Sequence, residues 1–396
     1  MSYHLKLEYL EILRSQYLVA SKKQRSQLID EICRNTGMHR KSAIRSLRAK
    51  IKGRRVGSGR KKTYSSEATV YLRRLWIKTD QMCSKKLKKA LPHWIPKTLM
   101  PAAIRDELLR MSASTIDRYL KPSRAQFRRK SNTGTRPGKL LKTIVPIKTL
   151  SNIPDRAGFI EADTVAHCGG LLLGDFVWSL TFTDLFTGWT ENRAVWGKHA
   201  INVHAAIEDI ENSIPFEIIE FNVDNGSEFL NHRLVEYFQP GGPKQRKRFA
   251  LTRSRSYHKN DNAHVEQKNW THVREIFGYE RFEFKELVPI MNQVYQVQNM
   301  LTNFFHPQMK LKSKVRVGAK IKKKYDEPKT PYHRLLEDPH VSEENKTKIK
   351  AQYEKLNPFE LVELREALLT DFYKHKKQLQ LNKEASNPPS NVIPIR

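Results

Sequence analysis

Residues 221–229, FNVDNGSEF, and residues 254–268, SRSYHKNDNAHVEQK, hold the pattern that decides how this 396-residue chain folds. The first closes a run in which Phe216, Ile218, Ile219, Phe221 and Val223 are nearly continuous in apolar character. A strand covered on both faces of a mixed sheet reads this way. Asp224 then stands at the strand's C-terminal end, where open α/β sheets place their ligand sites. Asn225 and Gly226 suit a turn, and Ser227 suits the N-cap of a helix through Phe229, Leu234 and Phe238. In the second stretch a polar segment, Ser256 to Asn262, enters a helical pattern through Val265, Trp270, Val273 and Phe277. Glu266 follows Asn262 by one helical turn, so the two share a face.

Upstream, Phe159-Ile160-Glu161-Ala162-Asp163 opens the same α/β region. Strands are predicted over Phe176 to Phe182 and Trp189 to Trp196, then a helix from Ala200 to Ser213, the Asp224 strand, a helix, a short strand near Phe249 to Thr252, and the Glu266 helix. That order makes a mixed α/β sheet. The net charge of +31 is unevenly spread. Residues 1–150 hold 37 Lys and Arg against 9 Asp and Glu, residues 151–308 hold 15 against 20, and residues 309–396 hold 20 against 12. A basic front and a milder basic tail flank an acidic middle. Such a front gains counterion-release free energy on a polyanion, while the acidic middle repels phosphate unless divalent cations sit in it. Cys33, Cys83 and Cys168 are far apart and odd in number, which gives neither a disulfide framework nor a zinc pattern. No apolar run is long enough to span a membrane, and no signal-peptide core begins the chain. A soluble, intracellular protein with reduced thiols in a cytoplasm is expected.

Residues 1–50 read as a helix-turn-helix domain: Gln27 to Asn35 and Arg40 to Ala49 are amphipathic around Thr36-Gly37, and the second helix exposes Arg40, Lys41, Arg45 and Arg48. A generic three-helix bundle with a solvated basic face has the same periodicity; the charge favours DNA. Residues 51–64 form a basic linker with Arg54, Arg55, Arg60, Lys61 and Lys62, suited to a phosphate track. Residues 65–121 read as a second helical, helix-turn-helix-like domain with Arg118 outward, or as an all-helical spacer. Residues 122–150 are a second basic linker. After the core of residues 151–308, residues 309–380 carry a basic alternation over Lys310 to Lys324, compatible with a small β-module or a DNA-tracking arm, followed by helices. Residues 381–396 read as a disordered tail.

The residues already quoted carry a resemblance. Asp-Asn-Gly-Ser-Glu-Phe at 224–229, the stretch 254–268 and Phe-Ile-Glu-Ala-Asp at 159–163 resemble the three ordered motifs of integrase-type DDE transposases of bacterial insertion sequences, an ISNCY-like group related to retroviral integrases. The resemblance covers roughly residues 151–300. It implies an RNase H-like core with the first and fourth strands side by side, and Asp163, Asp224 and Glu266 as catalytic, metal-binding acids. The 41 residues between Asp224 and Glu266 exceed the usual spacing of retroviral members, and the excess falls in the loop-like stretch 239–248. The implied cofactor is a pair of Mg²⁺ or Mn²⁺ ions, Asp163 shared by both, Asp224 on one and Glu266 on the other. The implied partners are double-stranded DNA, as element ends and target, and further copies of the chain assembled on it.

The chemistry is consistent with that resemblance. Phosphodiester cleavage and strand transfer need an activated oxygen nucleophile and charge stabilisation on two oxygens, which two ions about 3.5–4 Å apart supply; hard cations take oxygen ligands. Asn262 and Lys259 are candidates for supporting contacts near Glu266. Other acids compete: Glu161 shares a strand face with Asp163, and Glu228 lies one turn past Asp224, both read as supporting or solvated. Asp184 reads as a turn residue. His167, His258 and His264 lack paired ligand spacing, and Val273 stands where some relatives carry a basic residue, with Arg274 next. The reading is therefore a DDE transposase. Its rivals are a catalytically silent DNA-binding regulator of element ends and, less favoured, a nuclease of RNA in hybrids.

Overall fold

In the computed structural model, residues 3–48, 63–127, 154–223, 229, 232–238, 241, 251–253, 263–317 and 320–386 are described. They form two compact units, residues 1–63 and 64–396. In the first, α1 (Tyr3–Val19), α2 (Lys22–Thr36) and α3 (Arg40–Arg48) enclose Leu10, Leu13, Tyr17, Ile29, Ile32, Ala43 and Leu47. At the start of α2 the Ser21 backbone N–H donates to Gln24 Oε1 at 2.9 Å. Gly37, at φ 69°, ends α2 in the left-handed conformation that only glycine adopts cheaply. Lys41, Arg45 and Arg48 are exposed on α3. Arg40, also exposed, ion-pairs Asp30 and donates to Ser26 Oγ at 2.7 Å, which ties α3 to α2. Arg54, Arg55, Arg60, Lys61 and Lys62 lie outside the described residues.

The second unit begins with α4 (Ser66–Lys78), α5 (Ser84–Trp94), α6 (Ala102–Arg110) and α7 (Ala113–Gln126). Ser112 caps α7, accepting the Thr115 N–H at 3.1 Å, and Arg118 is exposed on it. Next come β1 (Phe159–Ala166), β2 (Val177–Asp184), β3 (Thr190–Trp196), α8 (Ala200–Ser213), β4 (Glu220–Val223), α9 (His232–Phe238) and β5 (Leu251–Arg253). The sheet order is β3-β2-β1-β4-β5. β1, β2 and β3 are antiparallel, whereas β4 and β5 run parallel to β1. The first and fourth strands are therefore neighbours. β4 is shorter than the apolar run predicts: Phe216 and Ile218 are buried but precede it.

α10 (Ala263–Lys268) passes through a π-helical segment, Asn269–Arg274, into α11 (Glu275–Phe277). Then follow α12 (Leu287–Met300), β6 (Leu311–Val317), β7 (Lys320–Tyr325), α13 (Pro331–Glu337), α14 (Glu343–Lys355) and α15 (Pro358–Ser386). α15 runs on to Ser386, so the stretch read as a tail from 381 onward begins as helix. Helices cover both sheet faces. Ile160, Ala162, Leu180 and Phe221 pack with α8 and α9 on one, and Val165, Val177 and Ala194 pack with Val273, Phe277 and α12 on the other. No helix among the described residues is long and apolar enough to cross a membrane.

Residues 65–121 share a core with the sheet. Leu72, Leu87, Trp94 and Ile116 belong to the same buried cluster as Ile160, Phe221 and Phe305, and the Trp94 indole donates to the Phe305 carbonyl at 3.2 Å. Asp80, in the turn after α4, receives both Arg365 terminal nitrogens of α15 at 2.8 Å. Glu191 on β3 is buried, which pushes its carboxyl up, yet it is held by Arg193 (3.1 Å), Trp189 (2.9 Å) and Asn299 of α12 (2.7 Å). Asp184 is the turn residue expected, accepting from Thr187 N (2.6 Å), Thr187 Oγ1 (2.6 Å) and Gly158 N (2.9 Å).

His167 is fully buried, stacked on Phe282, and bonded through Nε2 to Ser179 Oγ at 2.7 Å, which in turn meets Tyr295 OH at 2.5 Å. Burial first, and the nearby Arg274 charge second, lower its pKa to about 3. Between pH 6.5 and about 3 the unfolded chain protonates this imidazole and the native state does not. The stability is intact above pH 6.5 and is lost as pH falls through that window, by up to about 1.4 kcal/mol per pH unit from this residue. Urea titrations at pH 7, 6, 5 and 4 should show that fall, and His167→Asn should flatten it by one proton's worth.

Candidate active site

Glu161, Asp163 and Val165 share one face of β1 by the two-residue period of a strand, and Val165 packing against Val273 and Phe277 identifies it as the face beneath the α10 to α12 segment. Register extends that face into polar rows. Thr190, Thr183, Glu161, Asn222 and Thr252 lie side by side across all five strands, and Asn192, Thr181 and Asp163 form the next row. The rows bond internally: Asn222 Nδ2 donates to Thr252 Oγ1 at 2.9 Å and Asn192 Nδ2 to Thr181 Oγ1 at 3.0 Å. A buried polar group is tolerated where a partner meets it, and these strands supply partners to one another.

Glu161 is only 2% exposed, and its Oε2 accepts the Val265 N–H at 3.2 Å. That N–H sits in the first turn of α10, where backbone donors have no partner within the helix. The carboxylate satisfies it and puts negative charge at the helix's positive end. Glu161, read from the sequence as supporting or solvated, is thus a buried tie between β1 and the helix that bears Glu266.

Asp163 is half-buried. Its Oδ1 accepts the Thr164 N–H at 2.8 Å, and its Oδ2 accepts Asn269 Nδ2 at 2.6 Å. Asn269 Oδ1 is buried with no hydrogen-bond partner among the described residues. Asn269 opens the π-helical segment, a departure from α geometry that is frequent at functional sites. Sequence reasoning passed over it, although its place three residues after Glu266, on the same helical face, was a usable signal. The neighbouring Lys268 is buried, donating to Gln308 Oε1 at 2.8 Å; burial, reinforced by the charges of Lys86 and Lys310, lowers its pKa well below the ordinary lysine value.

Glu266 lies on α10 by its backbone. Its carboxylate, together with Asp224, Glu228, Lys259, Asn262 and His258, falls outside the described residues. Val273 is buried in the core and Arg274 donates to the Ala166 carbonyl at 2.9 Å, with its guanidinium 4.7 Å from the Tyr279 ring centre. Among the described residues no three His, Cys, Asp or Glu side chains are grouped to hold a metal ion.

No family model matches the chain. The uncharacterized protein y4rM of Sinorhizobium fredii is 33% identical over 334 residues, or 83% of this chain and 94% of that one. Among solved structures, the catalytic core domain of BIV integrase aligns with 46% of this chain and 94% of its own, at 14% identity and a TM-score of 0.29. A chain of the simian T-cell lymphotropic virus intasome in complex with a PP2A regulatory subunit aligns with 64% of this chain and 76% of its own, at 11% identity and a TM-score of 0.29.

Removing the acceptor on Glu161 leaves the Val265 N–H buried and unanswered, at a cost of about 1–3 kcal/mol. Glu161→Ala should lower the free energy of urea unfolding by that amount. Glu161→Gln keeps an acceptor oxygen and should lose less; equal losses would show that charge, not the hydrogen bond, supplies the stability.

Proposed function

We propose that this chain, which belongs to the same family as the Sinorhizobium fredii protein y4rM, is a DDE transposase that recognises insertion-sequence ends and cuts and joins DNA strands. The observation that carries the reading is the meeting of Asp163 with the helix bearing Glu266, through the 2.6 Å bond from Asn269. The register adds support. Pairing between β1 and β4 runs to Ala162 and Val223, the residues immediately before Asp163 and Asp224. In parallel pairing, successive residues advance together, so the reading takes the two aspartates as neighbours on the adjacent central strands. An RNase H-like core is the arrangement this order of strands suits.

The donors fit a hard divalent cation: carboxylate oxygens, one of them half-exposed, with an unanswered amide oxygen on Asn269 beside it. Asp163, Asp224 and Glu266 would hold two Mg²⁺ or Mn²⁺ ions, with Asp163 shared. Bound there, such ions supply an activated oxygen nucleophile and stabilise charge on the leaving oxygen. The chain's own part is positional. Glu161 holds the first turn of α10, Asn269 orients Asp163, and Asn262 and Lys259 would contact substrate beside Glu266. End recognition belongs, in this reading, to Arg40, Lys41, Arg45 and Arg48 of the first unit, the linker cations Arg54, Arg55, Arg60, Lys61 and Lys62, and Arg118. Several copies would assemble on the DNA.

The test is cleavage and joining of a labelled end duplex in Mg²⁺, in Mn²⁺ and in EDTA. Asp163→Asn, Asp224→Asn and Glu266→Gln should each abolish both steps while leaving duplex binding unchanged. Wild-type activity in EDTA, or full activity of Glu266→Gln, would sink the assignment. Binding without cleavage by the unaltered protein in both metals would favour the silent regulator.

Residues 1–63 should bind duplex DNA by themselves, since this unit has its own core. A cut at residue 150 would instead strip α4 to α7 of their packing partners. With six phosphate contacts or more, affinity should fall by about 10³ or more between 50 and 200 mM salt; a mobility shift insensitive to salt would count against it.

A further inference from the structure

The β6–β7 hairpin is a two-stranded sheet that pairs with no other strand among the described residues. Lys312, Ser313, Val315 and Arg316 of β6 are exposed, as are Lys322, Lys323, Lys324 and Tyr325 of β7. Even the one β-branched residue there whose burial is described, Val315, is 56% exposed. None of these described side chains is buried, and an isolated two-stranded hairpin is marginally stable at best in water, so this one depends on what holds its base. The Lys310 N–H donates to Asp326 Oδ1 at 2.6 Å and the Asp326 N–H to the Lys310 carbonyl at 2.9 Å. Arg334 of α13 clamps Asp326 at 2.7 Å, and Lys310 Nζ reaches the Leu185 carbonyl at 2.9 Å. Just below, Gln308 and Lys329 exchange two backbone bonds of 2.8 and 3.1 Å. The ribbon therefore projects about 20 Å from a rigid base, at about 3.4 Å per residue.

Its charge distribution selects the partner. Register pairs Ser313 with Lys324 and Val315 with Lys322 on one face, and Arg316 with Ile321 and Lys314 with Lys323 on the other. Both faces thus carry cations, and residues 310–324 include eight Lys or Arg and no acid. A membrane surface or an acidic protein face reaches one side of a ribbon, whereas cations stand on both sides of this one. A duplex groove meets both sides at once with phosphate walls, and the major groove, about 12 Å wide, admits a two-stranded ribbon. Cations crowded on both faces at a cost in mutual repulsion are relieved by such a polyanion.

We infer that the β6–β7 ribbon is a second duplex-DNA arm, separate from the N-terminal unit, seated in a groove with its lysines on the flanking phosphates. The inference rests on duplex DNA being the partner, as in the proposed transposase, but on nothing about its catalysis. It is tested by fluorescence anisotropy of the full-length protein with a labelled 30-base-pair duplex, in EDTA, across about 50–300 mM KCl. Replacing Lys322, Lys323 and Lys324 together by Gln should reduce the slope of log affinity against log salt by about 2–3, roughly 0.9 for each phosphate that the variant no longer neutralises. An unchanged slope overturns the inference, whatever the acid variants do to cleavage. If the triple variant loses cooperative unfolding, a photo-crosslinker on Ser313→Cys in the unaltered ribbon decides: covalent attachment to the duplex supports the arm, and none overturns it. Sedimentation with phosphatidylserine vesicles that is lost in the triple variant, while the DNA slope stays unchanged, would assign the ribbon to a membrane surface instead.

Discussion

Two carboxylates two residues apart on a central strand set the terms for everything packed above that strand. A buried acid is costly unless donors meet it, and Glu161 and Asp163 are each met by a donor from the same continuous helical stretch, the Val265 N–H and the Asn269 amide. Those two bonds fix how α10 lies over β1. The threonines and asparagines across the same face answer one another, Asn222 bonding Thr252, Asn192 bonding Thr181 and Thr183 bonding Thr190.

The remainder of the second unit closes around this arrangement from a distance. α15 spans two buried clusters, with Leu361 and Val362 in one and Phe372 in the other. Midway, Arg365 joins Asp80 to Gln298. One C-terminal helix therefore holds the early helices and the sheet-covering helix α12 in register. The charged tie is half-shielded and bidentate, the geometry in which an arginine pair contributes most reliably.

Much of this was legible in the residues. The strand ending at Val223, the Phe159 to Asp163 strand, the helix from Ala200 to Ser213 and the helix through Glu266 all follow from apolar period and turn chemistry. Three things were not. The polar rows are invisible along one strand, because Ser179, Thr181 and Thr183 acquire meaning only when β1 and β3 lie beside them. The merging of α4 to α7 with the sheet was hidden because an amphipathic stripe such as Leu72, Leu87 and Trp94 states that a face is buried and not against what. The ties that Arg40 makes to Asp30 and Ser26 were hidden because periodicity shows that a residue is exposed and not what lies within its reach.

The π-helical segment from Asn269 to Arg274 also does arithmetic. In an uninterrupted α-helix, at about 100° per residue, Val273 would stand about 80° and Phe277 about 120° around the axis from Val265. Absorbing one residue's rotation in the wider turn brings both within about 20° of it. All three are fully buried on the sheet side. The helix can therefore begin on the polar rows and end in the apolar cluster without rotating away from the sheet. The count of residues from Glu266 to Phe277 is in consequence a phase setting. A single insertion or deletion between them would turn either the acid or the core anchor out of line, so across this family that interval should be conserved in length even where its composition drifts.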